Sequence, residues 1–204
     1  MKHILYSDID EFLFVDNNKL TVINRKTGET FKAPKTDYYT YERDPNFHLD
    51  MRDYVDASIF MQAEAIKSNI GWVIAAQMTG VEVVYVTARQ SPNSLEMFKS
   101  KMEANGLFKP NIIFSGDLQI KLPHLSMGEC KAINIAKDLE KRNLEHKTYR
   151  FHVADDNINN LNDVISYFKT CNSGMKLLNR SCNEAGKWLF HYKPETNELY
   201  NLQA

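Results

Sequence analysis

Cysteine and long apolar runs are both scarce in this chain. The 204 residues include only three cysteines, Cys130, Cys171 and Cys182, and their spacing is not that of a metal site. Because the count is odd and the N-terminus leads into a strand pattern and not a signal peptide, we expect free thiols in a reducing compartment. No segment reaches the roughly 18 apolar residues of a membrane span. The sequence therefore predicts a soluble, cytoplasmic protein that does not contact a membrane.

The chain also lacks an excess of charge of either sign. It has 25 basic and 26 acidic residues, so its formal net charge is −1. No overall positive field attracts nucleic acid. Internal repeats, low-complexity tracts and linkers are absent too. A length of 204 residues then favours a single domain over residues 1–204 with a substantial core.

The N-terminal segment places two carboxylates just after a predicted strand. The apolar run Ile4-Leu5-Tyr6 is followed by Asp8 and Asp10, one residue apart. A short apolar run is typical of a buried parallel strand, and residues past the carboxyl end of such a strand lie where open α/β sheets bind ligands. Crowded carboxylates repel each other unless a cation or a proton joins them. The pair indicates either a Mg²⁺ site or a nucleophile beside a proton donor, and the alternative is a capping turn.

Polar residues of related chemistry follow later in the chain. Two further apolar strands are predicted, and they end at Thr87 and at Asp155-Asp156 respectively. Between them, Lys131 lies at the start of a helix predicted over Ala132–Arg142, which places a cation at a helix N-terminus. Hydroxyl, ammonium and carboxylate groups at one edge of a sheet are what phosphoryl transfer requires.

The ordered set Asp8-x-Asp10, Thr87, Lys131 and Asp155-Asp156 resembles the four motifs of the haloacid dehalogenase (HAD) superfamily. The resemblance extends from residue 4 to about residue 165 and is greatest to small HAD phosphatases encoded by bacteriophages. It implies an α/β fold with a Rossmann-like parallel sheet flanked by helices, and a small cap insertion at about residues 14–60. For a phage protein, the expected location is the host cytoplasm.

The resemblance also implies a role for each motif residue. Asp8 would attack phosphorus and form an aspartyl phosphate, and Asp10 would act as general acid and then as general base. Thr87 would donate a hydrogen bond to a phosphoryl oxygen, and Lys131 would neutralise negative charge. Mg²⁺ would be held by Asp8, the backbone carbonyl of Asp10 and Asp155.

Supporting roles are expected for three more residues. Asp156 would ligate the ion through water or orient Asp155, although one of the two could instead cap the helix that follows. Asn160 lies near the place of an additional polar residue in HAD relatives. Arg89 would contact phosphate or pair with an acid such as Asp117. Lys131 could also be an ordinary surface lysine.

One residue departs from the family pattern, and one segment offers a substrate contact. Phe12 stands where many HAD enzymes have Thr or Val. A lid loop is predicted over residues 34–50, and it carries Tyr38, Tyr39 and Tyr41. These rings could stack on a base or a sugar, but packing of the lid onto the body is the favoured interpretation.

Periodicity and turn signals predict the remaining elements. They are a hairpin over 20–31, helices over 53–65, 69–78, 91–105 and 158–168, strands over 111–114, 175–178 and 188–192, and a loop over 115–127. The last two strands are expected to finish the edge of the sheet or to pack on it.

The leading hypothesis is a Mg²⁺-dependent phosphomonoester hydrolase. Its expected partner is a small phosphorylated metabolite, and the favoured substrate is a nucleoside or deoxynucleoside 5′-monophosphate. A polynucleotide 3′-phosphatase acting on nucleic acid ends is a second possibility, which the neutral composition disfavours. A non-catalytic HAD-fold binding or regulatory module is a third, and Phe12 is its only support in the sequence.

Overall fold

The structure is a computed structural model that describes residues 2–15, 19–34, 37, 40–41, 44–50, 52–142 and 149–169, and the backbone of three C-terminal strands. The strands are β1 (Lys2–Ser7), β2 (Phe14–Val15), β3 (Leu20–Asn24), β4 (Thr30–Ala33), β5 (Phe47–Leu49), β6 (Glu64–Ala65), β7 (Glu82–Thr87), β8 (Asn111–Phe114), β9 (Tyr149–Asp155), β10 (Lys176–Arg180), β11 (Leu189–Lys193) and β12 (Glu198–Leu202). The helices are α1 (Arg52–Val55), α2 (Ala57–Phe60), α3 (Lys67–Met78), α4 (Leu95–Ala104), α5 (Gly116–Lys121), α6 (Met127–Lys141) and α7 (Ile158–Phe168). None of the helices described is both long and apolar enough to cross a membrane.

The central sheet is built around parallel strands. Its order is β12-β11-β10-β9-β1-β7-β8, and β9, β1, β7 and β8 pair in parallel. β10 adds a further parallel neighbour to β9, while β11 and β12 pair antiparallel. The two predicted C-terminal strands therefore do extend the sheet edge, and β12 was not predicted.

Helices cover both faces of this sheet. Ile4 and Tyr6 of β1 pack in one cluster with residues of α6 and α7, whereas Leu5 faces the opposite side and packs with residues of α3 and α4. This alternation follows from the period of two along a strand. The predicted α/β fold, a parallel sheet flanked by helices, is confirmed.

The segment between β2 and β6 forms a small unit of its own. β3 pairs antiparallel with β4, as the predicted hairpin requires, and β5 pairs with the other side of β3. The loop predicted over residues 34–50 therefore contains a strand, which the sequence did not indicate. Leu20, Val22 and Leu49 form a separate apolar cluster. The antiparallel pair of β2 and β6 brackets this unit and returns the chain to α3.

Three other predicted helices and loops also differ from the structure. The helix over 53–65 is instead α1, α2 and β6, because residues 64–65 pair with β2 far away in sequence. The helix over 91–105 starts at Leu95, because Ser94 caps it by accepting a hydrogen bond from the Met97 N–H. The loop over 115–127 contains α5.

Removal of the hydroxyl group is expected to have opposite effects on stability at two buried tyrosines. The Tyr85 hydroxyl has no partner within the described part of the chain, whereas that of Tyr6 donates to Asp138 Oδ2 at 2.7 Å. Both side chains are fully buried, and burial is the first cause that raises both pKa values above the usual value. We expect Tyr85→Phe to raise the free energy of unfolding by about 1 kcal/mol and Tyr6→Phe to lower it by about 1–3 kcal/mol. Urea denaturation measures both, and a destabilised Tyr85→Phe variant would contradict the expectation.

Candidate active site

Polar side chains gather at the carboxyl edge of the parallel strands. Asp8 directly follows β1, Thr87 is the last residue of β7 and Asp155 is the last residue of β9, and all three are buried. The chain leaves β8 on one side of β1 and returns as β9 on the other side. The strand order therefore reverses between β1 and β9, and open α/β sheets bind ligands in the crevice at such a point.

Lys131 links the ends of these two strands. Its Nζ lies 2.8 Å from Asp8 Oδ2 and 2.6 Å from Asp155 Oδ2, and its side chain is only 2% exposed. A buried ammonium is tolerated when it is paired and hydrogen-bonded, as it is here. The alternative interpretation of Lys131 as a surface lysine is therefore wrong.

The start of α6 sets the position of Lys131. Ser126 caps the helix and exchanges hydrogen bonds with Glu129 in a capping box, so that α6 begins at Met127. This start is five residues earlier than the predicted one, because the capping box begins the helix at Met127. Lys131 consequently lies in the second turn of the helix and not at its N-terminus.

A glycine lets α6 approach α7 closely. A Cβ built at Gly128 would lie 2.6 Å from the side chain of Asp163 and 2.8 Å from Asn160 Cα. Any larger residue would push the helices apart, and with them Lys131 and the residues that contact Asp155. Asn160 is one of these, because its Nδ2 donates to Asp155 Oδ1 and Oδ2 at 3.1 and 3.3 Å.

Burial and like charges disturb the protonation of this group. Burial raises the pKa of Asp8 well above its usual value, and Lys131 opposes that shift. Burial alone would lower the pKa of Lys131, but the carboxylates of Asp155 and Asp8 raise it above the usual value, so the ammonium keeps its proton. Burial and the neighbouring Asp155 raise the pKa of Asp156 to about 7. Burial and the neighbouring carboxylates thus disfavour the ionised forms of Asp8 and Asp156, although Lys131 opposes both shifts.

Three carboxylates are placed so that they could hold a metal ion. Oxygens of Asp8, Asp155 and Asp156 all lie within 4.8 Å of one another. Three carboxylates against one ammonium leave two uncompensated negative charges when all are ionised, which a divalent cation would balance. An all-oxygen donor set is what Mg²⁺ prefers. The residues present therefore fit the ion that the sequence predicts, and Asp156 belongs to the group.

Asp10 faces a different set of partners. Its Oδ2 accepts a hydrogen bond from the Thr87 hydroxyl at 2.9 Å, and its Oδ1 lies 2.6 Å from Arg89 Nη2. Arg89 Nε also donates to Oδ1 and Oδ2 at 2.8 and 3.0 Å. Thr87, expected to contact phosphate, and Arg89 thus hold the Asp10 carboxyl from two directions.

Arg89 is fixed by packing as well as by charge. Its side chain is 2% exposed, and its guanidinium lies over the Phe60 ring, 5.1 Å from the centroid. The predicted partner Asp117 is not the one that it uses, because Asp117 accepts hydrogen bonds from Ser91. Sequence separation hid the pairing, since Asp10 and Arg89 lie 79 positions apart.

The strand-to-helix turn after β8 depends on a second close approach. A Cβ at Gly116 would lie 2.5 Å from the backbone oxygen of Ala88, next to Arg89. Gly116 was not among the predicted site residues, because residues 115–127 were predicted to form a loop. A Ser-Gly-Asp sequence directly after a predicted strand was the available signal, since glycine allows backbones to approach closely.

Phe12, which differs from the family pattern, and Tyr41, from the predicted lid loop, both pack against other aromatic rings. Phe12 is completely buried, and its ring meets the Trp72 ring edge-on. Tyr41 packs edge-on against Phe31 and Phe47. Tyr38 and Tyr39 lie outside the described residues. Tyr41 therefore packs within the small sheet, and the expectation that the tyrosines pack the lid onto the body stays a prediction.

Comparisons with protein-family models, curated proteins and solved structures find no match to this chain. Its function is therefore inferred from the chemistry of the residues at the carboxyl edge of the sheet. These residues form two sets. Asp8 and Asp155 contact Lys131 and lie close to Asp156, while Asp10 pairs with Arg89 and Thr87.

Proposed function

We propose that the protein is a Mg²⁺-dependent phosphomonoester hydrolase of the HAD superfamily that works through an aspartyl-phosphate intermediate. The observation that carries the proposal is the buried Lys131 ammonium between the Asp8 and Asp155 carboxylates, at the point where the strand order reverses. A purely structural ion pair would not need a third carboxylate, Asp156, in the same group.

Asp8 is the nucleophile in the proposed reaction. One of its carboxylate oxygens forms a bond to phosphorus while the bond between phosphorus and the ester oxygen breaks. Asp10 starts this step in its protonated form and gives its proton to the departing alkoxide. Water then attacks phosphorus, Asp10 takes up a proton from that water, and phosphate leaves with Asp8 restored as a carboxylate.

Charged groups in the site would stabilise the phosphoryl group during its transfer. Lys131 holds the Asp8 carboxylate in place and offsets negative charge as phosphorus is attacked. Asp8, Asp155 and Asp156 would hold Mg²⁺, and the family resemblance adds the backbone carbonyl of Asp10. When bound, the ion supplies positive charge that stabilises the transferring phosphoryl group.

Thr87 and Arg89 can serve both Asp10 and the substrate. Both side chains carry donors that phosphoryl oxygens accept, and a guanidinium matches phosphate geometry. We expect a bound phosphoryl group to compete with Asp10 for these donors. Asp10 would then face the leaving oxygen, beside the phosphorus that Asp8 attacks.

A small phosphomonoester is the proposed substrate class, and a nucleoside or deoxynucleoside 5′-monophosphate stays the prediction for its identity. Tyr41 adds no support, because its ring packs within the small sheet. A panel of mononucleotides, sugar phosphates and 3′-phosphorylated oligonucleotides tests this prediction. Fastest release of phosphate from mononucleotides is expected, and a preference for the oligonucleotides would assign a polynucleotide 3′-phosphatase.

Turnover of p-nitrophenyl phosphate with Mg²⁺ tests the reaction class. The expected result is release of p-nitrophenol with more than one turnover per protein molecule. If the purified protein binds phosphate but releases no p-nitrophenol and no phosphate from the panel, it is a binding module and the proposal is wrong.

Replacement of Asp10 by asparagine is expected to slow reactions that need a proton donor. Asp10→Asn should lower kcat for alkyl phosphates by about 10²- to 10⁴-fold, the usual contribution of general acid–base catalysis. Loss at the attack step should be smaller with p-nitrophenyl phosphate, because p-nitrophenolate leaves without a proton. Unchanged rates with alkyl phosphates would show that Asp10 is not the acid.

A further inference from the structure

The turn that carries Asp10 contains a backbone conformation that its sequence does not favour. The N–H groups of Leu13 and Phe14 both donate to the Ile9 oxygen, at 2.8 and 3.0 Å, and the Glu11 N–H donates to the Phe14 oxygen at 2.9 Å. Glu11 has φ of 57°, in the left-handed region that costs a residue with a Cβ about 1–2 kcal/mol. Such a turn persists when surrounding contacts impose it.

Helix α3 supplies those contacts. Asn69 Nδ2 donates to the Phe12 oxygen at 2.7 Å, and the Ile66 N–H donates to the Leu13 oxygen at 2.8 Å. Asn69 is only 4% exposed, and Phe12 is fully buried against Trp72 of the same helix. The contacts of the Phe12 side chain and of the Phe12 and Leu13 carbonyl groups therefore hold the turn in place.

The Asn69 side chain has no capping role in its own helix. It lies in the first turn of α3, where polar residues often cap, but the N-cap position is Ile66 and no side-chain cap bond forms there. The amide is instead used across a gap of 57 positions in sequence. A buried carbonyl without this donor would cost about 1–3 kcal/mol.

We propose that Asn69 is a positioning residue for Asp10, an inference that rests on the proposed phosphatase function. Thr87 and Arg89 hold the carboxyl end of Asp10, and the turn fixed by Asn69 holds its backbone. Asp8 is held separately, because its N–H donates to the Ala154 oxygen at 2.8 Å and its carboxylate contacts Lys131. Loss of Asn69 would therefore disturb proton transfer more than nucleophilic attack.

The test compares two leaving groups in Asn69→Leu, which keeps the volume and removes the donor. The ratio of kcat for an alkyl phosphate to kcat for p-nitrophenyl phosphate is expected to fall by about 10- to 100-fold, since small misplacements of catalytic groups cost up to about 10²-fold. KM for both substrates is expected to stay unchanged, because Asn69 contacts no substrate. Amide hydrogen exchange of Glu11 is expected to become faster in the variant.

Asn105→Leu is the matched control. Asn105 Nδ2 donates to the Lys101 oxygen at 2.8 Å, a bond of the same kind at the end of α4. Its loss should leave the ratio unchanged even if the protein is destabilised. Where Asn69→Leu does not fold, Asn69→Ser provides the same comparison, because serine suits a first helical turn but is too short to reach Phe12.

The outcomes distinguish a failure of the proposed phosphatase function from a failure of the proposed role of Asn69. If wild-type protein hydrolyses neither substrate, the proposed function is wrong and the role of Asn69 fails with it. If wild-type protein is active but the Asn69 variants lose both activities equally, or lose none, then Asn69 has only a structural role and the inference alone is overturned.

Discussion

The Asp8→Asn variant is expected to be folded but inactive. Turnover of p-nitrophenyl phosphate should fall by at least about 10³-fold, since asparagine cannot form the covalent intermediate and removal of the nucleophile is among the most damaging changes in enzymes that use covalent catalysis. The variant should remain folded because asparagine has the same shape, and Lys131 keeps Asp155 as its partner at 2.6 Å.

Stability gives an independent check on this variant. Because burial raises the pKa of Asp8 in the folded, metal-free protein, folding stability falls as the pH rises from the unfolded-state pKa towards the folded-state pKa. Asp8→Asn removes the charge, so Tm in chelator should be equal to or higher than that of the wild type. Asp56→Asn is the control, because Asp56 caps α2 and asparagine caps about equally well.

An active, folded Asp8→Asn protein would rule out the covalent mechanism.

Removal of divalent metal is expected to have the second large effect. EDTA should lower activity by at least about 100-fold, because a bound cation contributes several kcal/mol to transition-state stabilisation. Mg²⁺ should restore activity, and Ca²⁺ should do so poorly, since its coordination is larger and more flexible. Full activity in chelator would contradict the proposed metal site.

Metal binding can also be measured without turnover. Mg²⁺ should raise Tm of the wild-type protein, because it binds the folded state and relieves repulsion among Asp8, Asp155 and Asp156. Asp155→Ala should remove the shift, and Asp156→Ala should reduce it less, because Asp155 is the more buried of the two and contacts Lys131. Asp117→Ala is the control, since Asp117 contacts Ser91 instead. The reverse ranking would exchange the roles of Asp155 and Asp156.

Elements whose signals are local could be predicted from the sequence. β8 at Asn111–Phe114 and α7 at Ile158–Phe168 have the predicted bounds, because a short apolar run and a helical period define them. The start of α6 could also have been predicted, since Ser126 and Glu129 form a capping box. The positions of Asp8, Thr87 and Asp155 at strand ends follow from the same local patterns.

Elements that depend on distant partners could not be predicted. β6 pairs with β2, and β5 pairs with β3, so neither short segment is determined by its own residues. The pairing of Arg89 with Asp10 and the donation from Asn69 to Phe12 join residues far apart in sequence. Such contacts arise only after the sheet and the helices have assembled, and no spacing in the chain encodes them.

Direct detection of phosphate on Asp8 tests the central claim. In Asp10→Asn, both proton transfers are slowed, so phosphoryl-enzyme formed from p-nitrophenyl phosphate with Mg²⁺ should accumulate. Acid quench during turnover, proteolysis and mass spectrometry locate the phosphate. The account predicts phosphate on Asp8, and none when Asp8 is also replaced by asparagine. Phosphate on another residue, or none on Asp8 while p-nitrophenol is being released, would contradict it.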